Sequence, residues 1–140
     1  MPQFEFVTPI GSLKDKTLPT VQVSIGEEHF GRRIIDPAAE TEFAKMLQEC
    51  GFKLVDEMST NRAEVTITGH AFSGYGMQKG NLVSCKSRVE LKVRNRNGDI
   101  LAVDRQKSAA VDITEQTAAK TALHNAAGEL AERIIPKLGR

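Results

Sequence analysis

The chain has almost no surplus of either charge: 19 lysines and arginines stand against 18 aspartates and glutamates among 140 residues, a net of +1. So balanced a chain presents no general field to draw in DNA, RNA or an anionic membrane, and nucleic acid is not expected as a partner. No apolar run approaches the roughly 18 to 20 residues that span a bilayer, and Met1 to Thr20 lacks the basic start and apolar stretch of a signal peptide. Cysteine is scarce as well. Cys50 and Cys85 are too few for a disulfide framework or a closed four-ligand zinc site, and allow at most one bridge to each other.

What is present is ordinary globular composition, 40% apolar and 26% charged. That length fits one compact domain burying roughly two thirds of its unfolded surface. Residues 1–19, with Pro2, Pro9, Gly11 and Pro19, read as an irregular arm or linker remnant, and 20–140 as a single domain. "TVQVSI" (Thr20 to Ile25) alternates like a short strand with Val21, Val23 and Ile25 on one face, and "GEEHFGRRIID" follows as a mixed loop. Asp36 before Pro37 is a helix start, and Phe43, Met46, Leu47 and Cys50 then fall on one side up to a stop at Gly51. "FKLVDE" is a further short strand and "AEVTITGHAF" a longer one.

The strongest pattern is "LVSCKSRVELKVRN", in which Val83, Cys85, Ser87, Val89, Leu91 and Val93 alternate with Ser84, Lys86, Arg88, Glu90, Lys92 and Arg94. "NRNGD" turns the chain into "ILAVDRQKSAAV". Two registers compete. A two-residue turn at Asn97-Gly98 sets Ala102, Asp104 and Gln106 opposite the apolar face; a three-residue turn with Gly98 left-handed sets Leu101 and Val103 opposite Val93 and Leu91. The second is preferred. It puts Asp104 across from Glu90 in an outer row of charges, and it requires a bulge or sheet edge near Arg105 and Lys107. The last segment starts like a capping box at Asp112 and Glu115 and ends at Pro136. Within it Ala119, Leu123, Ala126, Ala127, Leu130 and Ile134 make one helical stripe. The order β-α-β-β-β-β-α implies an α+β two-layer sandwich: a mixed sheet of about five strands, with a long hairpin, packed by two main helices.

Candidate chemistry is thin. Gly74, Gly76 and Gly80 with Lys79 suggest a phosphate cradle, but such glycines open a helix in nucleotide sites and here they lead into a strand. They are read as a strand connection over 73–81, with Tyr75, Met77 and Lys79 displayed as a partner-contact loop; a small-ligand or nucleotide module using the same loop is the alternative function. Ser73, Ser84, Ser87 and Ser108 lack a strained nucleophile turn, while His29 in a loop, His70 on an outer strand face and His124 on a polar helix side have no metal spacing. No catalytic, cofactor or metal residue is therefore assigned, and no enzyme is expected. Cys50 and Cys85 are read first as buried thiols, with a disulfide as the lesser option.

"AEVTITGHAF", the hairpin "SCKSRVELKVRNRNGDILAVDRQ" and "TALHNAAGELAERIIPKL", after a first helix ending in "ECGFKLVDE", together resemble the soluble domain shared by three groups of proteins. These are the curli secretion channel, the lipoprotein activators of penicillin-binding proteins and flagellar assembly protein T, similar in plan to the amino-terminal domain of the translocation protein TolB. The likeness covers roughly Thr20 to Leu138. It implies a non-enzymatic accessory or assembly domain of the bacterial cell envelope, periplasmic or associated with the outer membrane, that contacts a protein partner or further copies of itself. The pore-forming members carry membrane hairpins in their loops, each needing two strands of about 9 to 11 residues. The stretch from Ser73 to Asn81 is too short and polar for one, so no pore is expected. No lipid-attachment cysteine stands near the start, which leaves anchoring open. Ala109 to Val111 and Thr20 to Ile25 are the candidate edge segments for strand addition.

Overall fold

The computed structural model describes residues 18–29, 32–33, 37–56 and 63–138. The expected arm over 1–19, apart from Leu18 and Pro19, and the expected cap Asp36 lie outside those residues. The elements are β1 (Thr20–His29), β2 (Arg32–Arg33), α1 (Ala38–Glu49), β3 (Lys53–Leu54), β4 (Val65–Lys79), β5 (Leu82–Asn95), β6 (Ile100–Asp112) and α2 (Glu115–Leu138). The sheet runs β2-β1-β4-β5-β6, with β3 beside β1. β1 is parallel to β4 and to β3, and the other pairs are antiparallel, so the sheet is mixed and the α+β sandwich is the observed class.

β1 is longer than the alternation at Thr20 to Ile25 shows, because Gly26 to His29 continue it rather than forming a loop, and His29 is its last residue. The extension brings Glu27 under the start of α1. Its carboxylate accepts from the Ala38 and Ala39 amides at 3.1 and 2.9 Å, capping a helix that has no cap of its own at Pro37. At the other end, the Phe52 amide donates to Leu47 O and the Gly51 amide to Gln48 O, the paired bonds of a helix stop at the expected glycine.

The cap of α2 lies two residues beyond the expected one, at Thr114, whose Oγ1 accepts from the Thr117 amide, while Asp112 accepts from the neighbouring Ile113 amide. It also runs through Pro136 to Leu138: the proline removes one interior bond, and Ile135 and Leu138 hold the final turn by being buried. Its stripe falls where the periodicity puts it. Leu123, Ala126, Ala127, Leu130 and Ile134 are buried against Val89, Leu91 and Val93 of β5 and Phe43 and Leu47 of α1, and Ala119 is buried in a smaller cluster with Cys85. Six buried alanines keep the helix close to the sheet, and Ser87 Oγ donates to Ala122 O at 2.7 Å across the seam.

The hairpin register departs from expectation in one place. The three-residue turn forms, with Gly98 at φ +90° where a side chain would be strained. Immediately after it, Arg94 pairs with Ile100 but Val93 pairs with Ala102, so Leu101 is bulged out. The bulge reverses the phase of β6. Ala102, Asp104 and Gln106 lie on the face toward α2, and Ile100, Val103, Arg105 and Lys107 on the other. The physical reason is burial: the plain register would drive Arg105 and Lys107 under the helix without partners. A bulge or the sheet's edge was expected near those two residues: β6 is the edge strand, and the bulge lies at Leu101.

Candidate interaction surface

Both helices lie on one face of the sheet, and among the described residues no element covers the opposite, bare face. Strand alternation supplies that face with Gln22, Ser24, Gly26 and Glu28 from β1 and with Thr66, Thr68, His70 and Phe72 from β4. β5 adds Lys86, Arg88, Glu90, Lys92 and Arg94, and β6 adds Ile100, Val103, Arg105, Lys107, Ala109 and Val111. Lys79, Lys86, Arg88, Lys92, Arg94, Arg105 and Lys107 of β4 to β6 place seven cations on it, against the two carboxylates of Glu28 and Glu90. Sheet twist hollows its middle into a trough of about 1000 Å³ lined by Ser24, Thr68, His70, Lys92, Arg94 and Val103, among others.

The charges are unevenly engaged. Glu90 lies between two arginines, 3.2 Å from Arg88 and 3.4 Å from Arg105, its cross-strand neighbour. The Arg88 guanidinium also lies 4.9 Å from the centre of the Phe72 ring, covering it. Asp104, expected across from Glu90, is on the other side of the sheet facing α2. There it holds Arg133 in a two-pronged pair at 2.9 and 3.2 Å. Hydrogen bonding from Arg133 holds the Asp104 carboxyl below its ordinary value, against the opposing effect of burial.

The edges of the sheet differ as well. Along β6 the centre is closed by its own side chains: the Arg105 amide donates to Asp104 Oδ1, Arg105 O accepts from Arg133 Nη2, and Lys107 O accepts from Gln106 Nε2. Ala109 to Val111 lie outside that clasp. Thr20 to Ile25, the other candidate for strand addition, is covered by β3 at Thr20 and Val21 and by Glu40, which takes the Ile25 amide at 2.8 Å.

The 73–81 segment is not a loop. Ser73 to Lys79 continue β4, paired with β5, and only Gly80 and Asn81 turn, Gly80 at φ +61°. The glycines therefore open no helix and make no phosphate cradle. A register shift between Tyr75 and Met77 splits the expected trio: Tyr75 pairs with Cys85 on the helix-side face, while Met77 and Lys79 pair with Ser84 and Leu82 on the bare face. Met77, Leu82, Val111 and Ile113 are all exposed at that end of the hairpin.

Cys50 and Cys85 both keep their thiols. Cys50 borders the main core, whereas Cys85 is packed with Ala118 and Ala119 in a separate cluster. Burial pushes the Cys85 thiol up, and the Glu115 carboxylate adds to the rise, so it is a poor nucleophile. One grouping that the sequence hides is His29 Nδ1 at 2.7 Å from Ser73 Oγ, with His29 Nε2 3.6 Å from Glu115. These are the residue types of a hydrolytic triad. Ser73, however, is buried in mid-strand, and the concavities found among the described residues are lined by neither Ser73 nor His29. His70 is exposed on the bare face, and His124 Nε2 meets Glu42 at 2.8 Å. Among the described residues no three His, Cys, Asp or Glu side chains gather as a metal would need, and no helix is long and apolar enough to cross a membrane.

No protein-family model matches the chain, and no curated protein does. Solved structures do. A minor lipoprotein from Acinetobacter baumannii superposes with a TM-score of 0.58 at 12% identity, over 81% of this chain and 89% of that one. The rare lipoprotein B of Shewanella oneidensis gives 0.52 at 10% identity, over 83% and 95%. At such identities the likeness is one of fold: this is an architecture that bacterial lipoproteins adopt.

Proposed function

We propose that the chain is a non-enzymatic accessory domain of the bacterial cell envelope that works through protein–protein contacts made by the bare face of its sheet. The observation that carries this reading is the asymmetry of the sandwich: two helices cover one face, and the other is hollow, cation-rich and without a layer of its own among the described residues. Exposed apolar side chains at both ends, Ile100 and Val103 at one and Met77, Val111 and Ile113 at the other, give that face the apolar contacts a protein interface uses around charged groups.

The lipoprotein-like fold supports a place in the envelope, periplasmic or at the outer membrane. The resemblance to the domain of the curli channel, the penicillin-binding-protein activators and flagellar assembly protein T supports an assembly role without a pore. Here β4 and β5 pair along their whole length within the sheet. Self-association is the variant in which the partner is another copy.

The test is photo-crosslinking in cells that make the protein, with the cross-linker at Val103 on the bare face or at Gln48 on the exposed side of α1. A protein adduct in the envelope fraction from Val103 and not from Gln48 is expected. Adducts from neither position, with a small molecule co-purifying, would sink the proposal.

A further inference from the structure

We infer that the partner presents an acidic, extended segment to the bare sheet face, and that the trough around Lys92 and Arg94 is where this segment lies. The inference rests on the reading of that face as a protein-contact surface and adds the chemistry of what it contacts.

The charges carry the argument. The whole chain is nearly neutral, yet this one face carries seven cations from β4 to β6 and two carboxylates. Glu90 is already matched by Arg88 and Arg105. Among the described residues no carboxylate pairs with Lys86, Lys92, Arg94 or Lys107, so within those residues their charge is unmatched. Lys86, Lys92 and Arg94 stand at alternate positions of one strand, and two residues of strand advance about 7 Å. An extended polypeptide has the same period, so carboxylates on every second residue meet Lys92 and Arg94 in step and reach Lys86 further along. Beside those cations the trough offers Ser24, Thr68 and His70, side chains that hydrogen-bond a peptide backbone.

The shape separates a polypeptide from other anions. A bilayer surface is flat and would rest on the rims of a concave face without reaching the trough. Single-stranded nucleic acid binds by stacking bases on open aromatic rings. On this face Phe72 is covered by Arg88, which removes the ring best placed for it. A second copy of the same face is excluded by like charge.

The experiment uses a twelve-residue peptide alternating glutamate and threonine, its lysine-threonine counterpart, phosphatidylglycerol vesicles and single-stranded DNA. Each is titrated into the full chain by calorimetry and by amide chemical-shift mapping. The glutamate peptide should bind, shifting Ser24, Thr68, Lys92, Arg94 and Val103, and the lysine peptide should not. The double variant Lys92→Glu, Arg94→Glu should lose at least tenfold in affinity, while Lys45→Glu, Lys137→Glu, with the same change of net charge on the two helices, should bind as the parent does. Equal binding by both double variants would overturn the inference. So would shifts that map elsewhere, or preferential binding of vesicles or DNA. If Val103 traps a protein in cells and the glutamate peptide leaves these amides unmoved, the acidic partner is wrong while the protein-contact reading stands; if Val103 traps none, that reading falls first.

Discussion

The two faces of the sheet are built from alternate residues of the same strands, and their chemistry is opposite. Under the helices, Val21, Ile25, Ile67, Val89, Leu91 and Val93 close on Phe43, Leu47, Leu123, Leu130 and Ile134. A residue away along each strand, the side chains are threonine, lysine, arginine and histidine, half-buried or exposed. Stability is concentrated on one face, so the other can vary in chemistry at little cost to folding. Leu130→Ala should break the covered side most severely. The side chain is fully buried at the centre of the α2 stripe, and its truncation is expected to cost about 2–5 kcal/mol in chemical denaturation. A loss well under 1 kcal/mol would mean that α2 is not seated as described.

Glu27 sharpens the comparison, since it is a charged residue on the apolar face. It is buried because it terminates α1, and Glu27→Ala leaves the Ala38 and Ala39 amides without their acceptor. The expected loss is about 1–2 kcal/mol, the range of a lost helix cap, with faster hydrogen exchange confined to those two amides and their neighbours. Glu27→Gln keeps one acceptor oxygen and should lose less. Unchanged exchange at Ala38 and Ala39 in Glu27→Ala would refute the capping role.

The seam between the faces is the Asp104–Arg133 pair, where β6 meets α2. The folded-state pKa of Asp104 is depressed, chiefly by its hydrogen bond from Arg133. Its contribution is therefore present above the unfolded carboxylate value, about 3.9, and is lost as pH falls through the depressed value. At neutral pH Asp104→Asn should cost at most about 1 kcal/mol, because the pair is partly solvated. That deficit should shrink steadily in unfolding curves taken below pH 4, and a deficit independent of pH would show that the charge of Asp104 is not what matters.

Much of this arrangement is readable in the residues, and where it is not the cause is long-range. Alternation from Val83 to Val93 and the 119–134 stripe assign faces correctly because each repeats over many residues. β6 does not, since "ILAVDRQ" has apolar residues in both phases. Its facing is decided by Asp104 meeting Arg133 some 29 positions away and by the cost of burying Arg105 and Lys107. Glu27 looks like one more polar residue in "GEEHFGRR" until the parallel pairing of β1 and β4 carries it beneath α1. The cationic row of the candidate surface is visible as Lys86, Arg88, Lys92 and Arg94. Its concavity, and the addition of Arg105 and Lys107 to it, depend on twist and on the Leu101 bulge, which no local pattern encodes.

The bulge also sets the smallest predicted effect. Val103 is 66% exposed, a large apolar side chain on the bare face that the unbulged register would have placed opposite Leu91 under the helix. In that buried position Val103→Ser would cost several kcal/mol, through lost packing and an unpartnered hydroxyl. In the observed position the substitution removes only surface contact and should change unfolding free energy by no more than about 0.5 kcal/mol. The same substitution should weaken whatever binds the trough that Val103 helps to line. A variant that folds as the parent does and binds its partner less well would separate the two faces by a single residue. One that unfolds early would return Val103 to the core and remove the bulge on which the cation-rich surface depends.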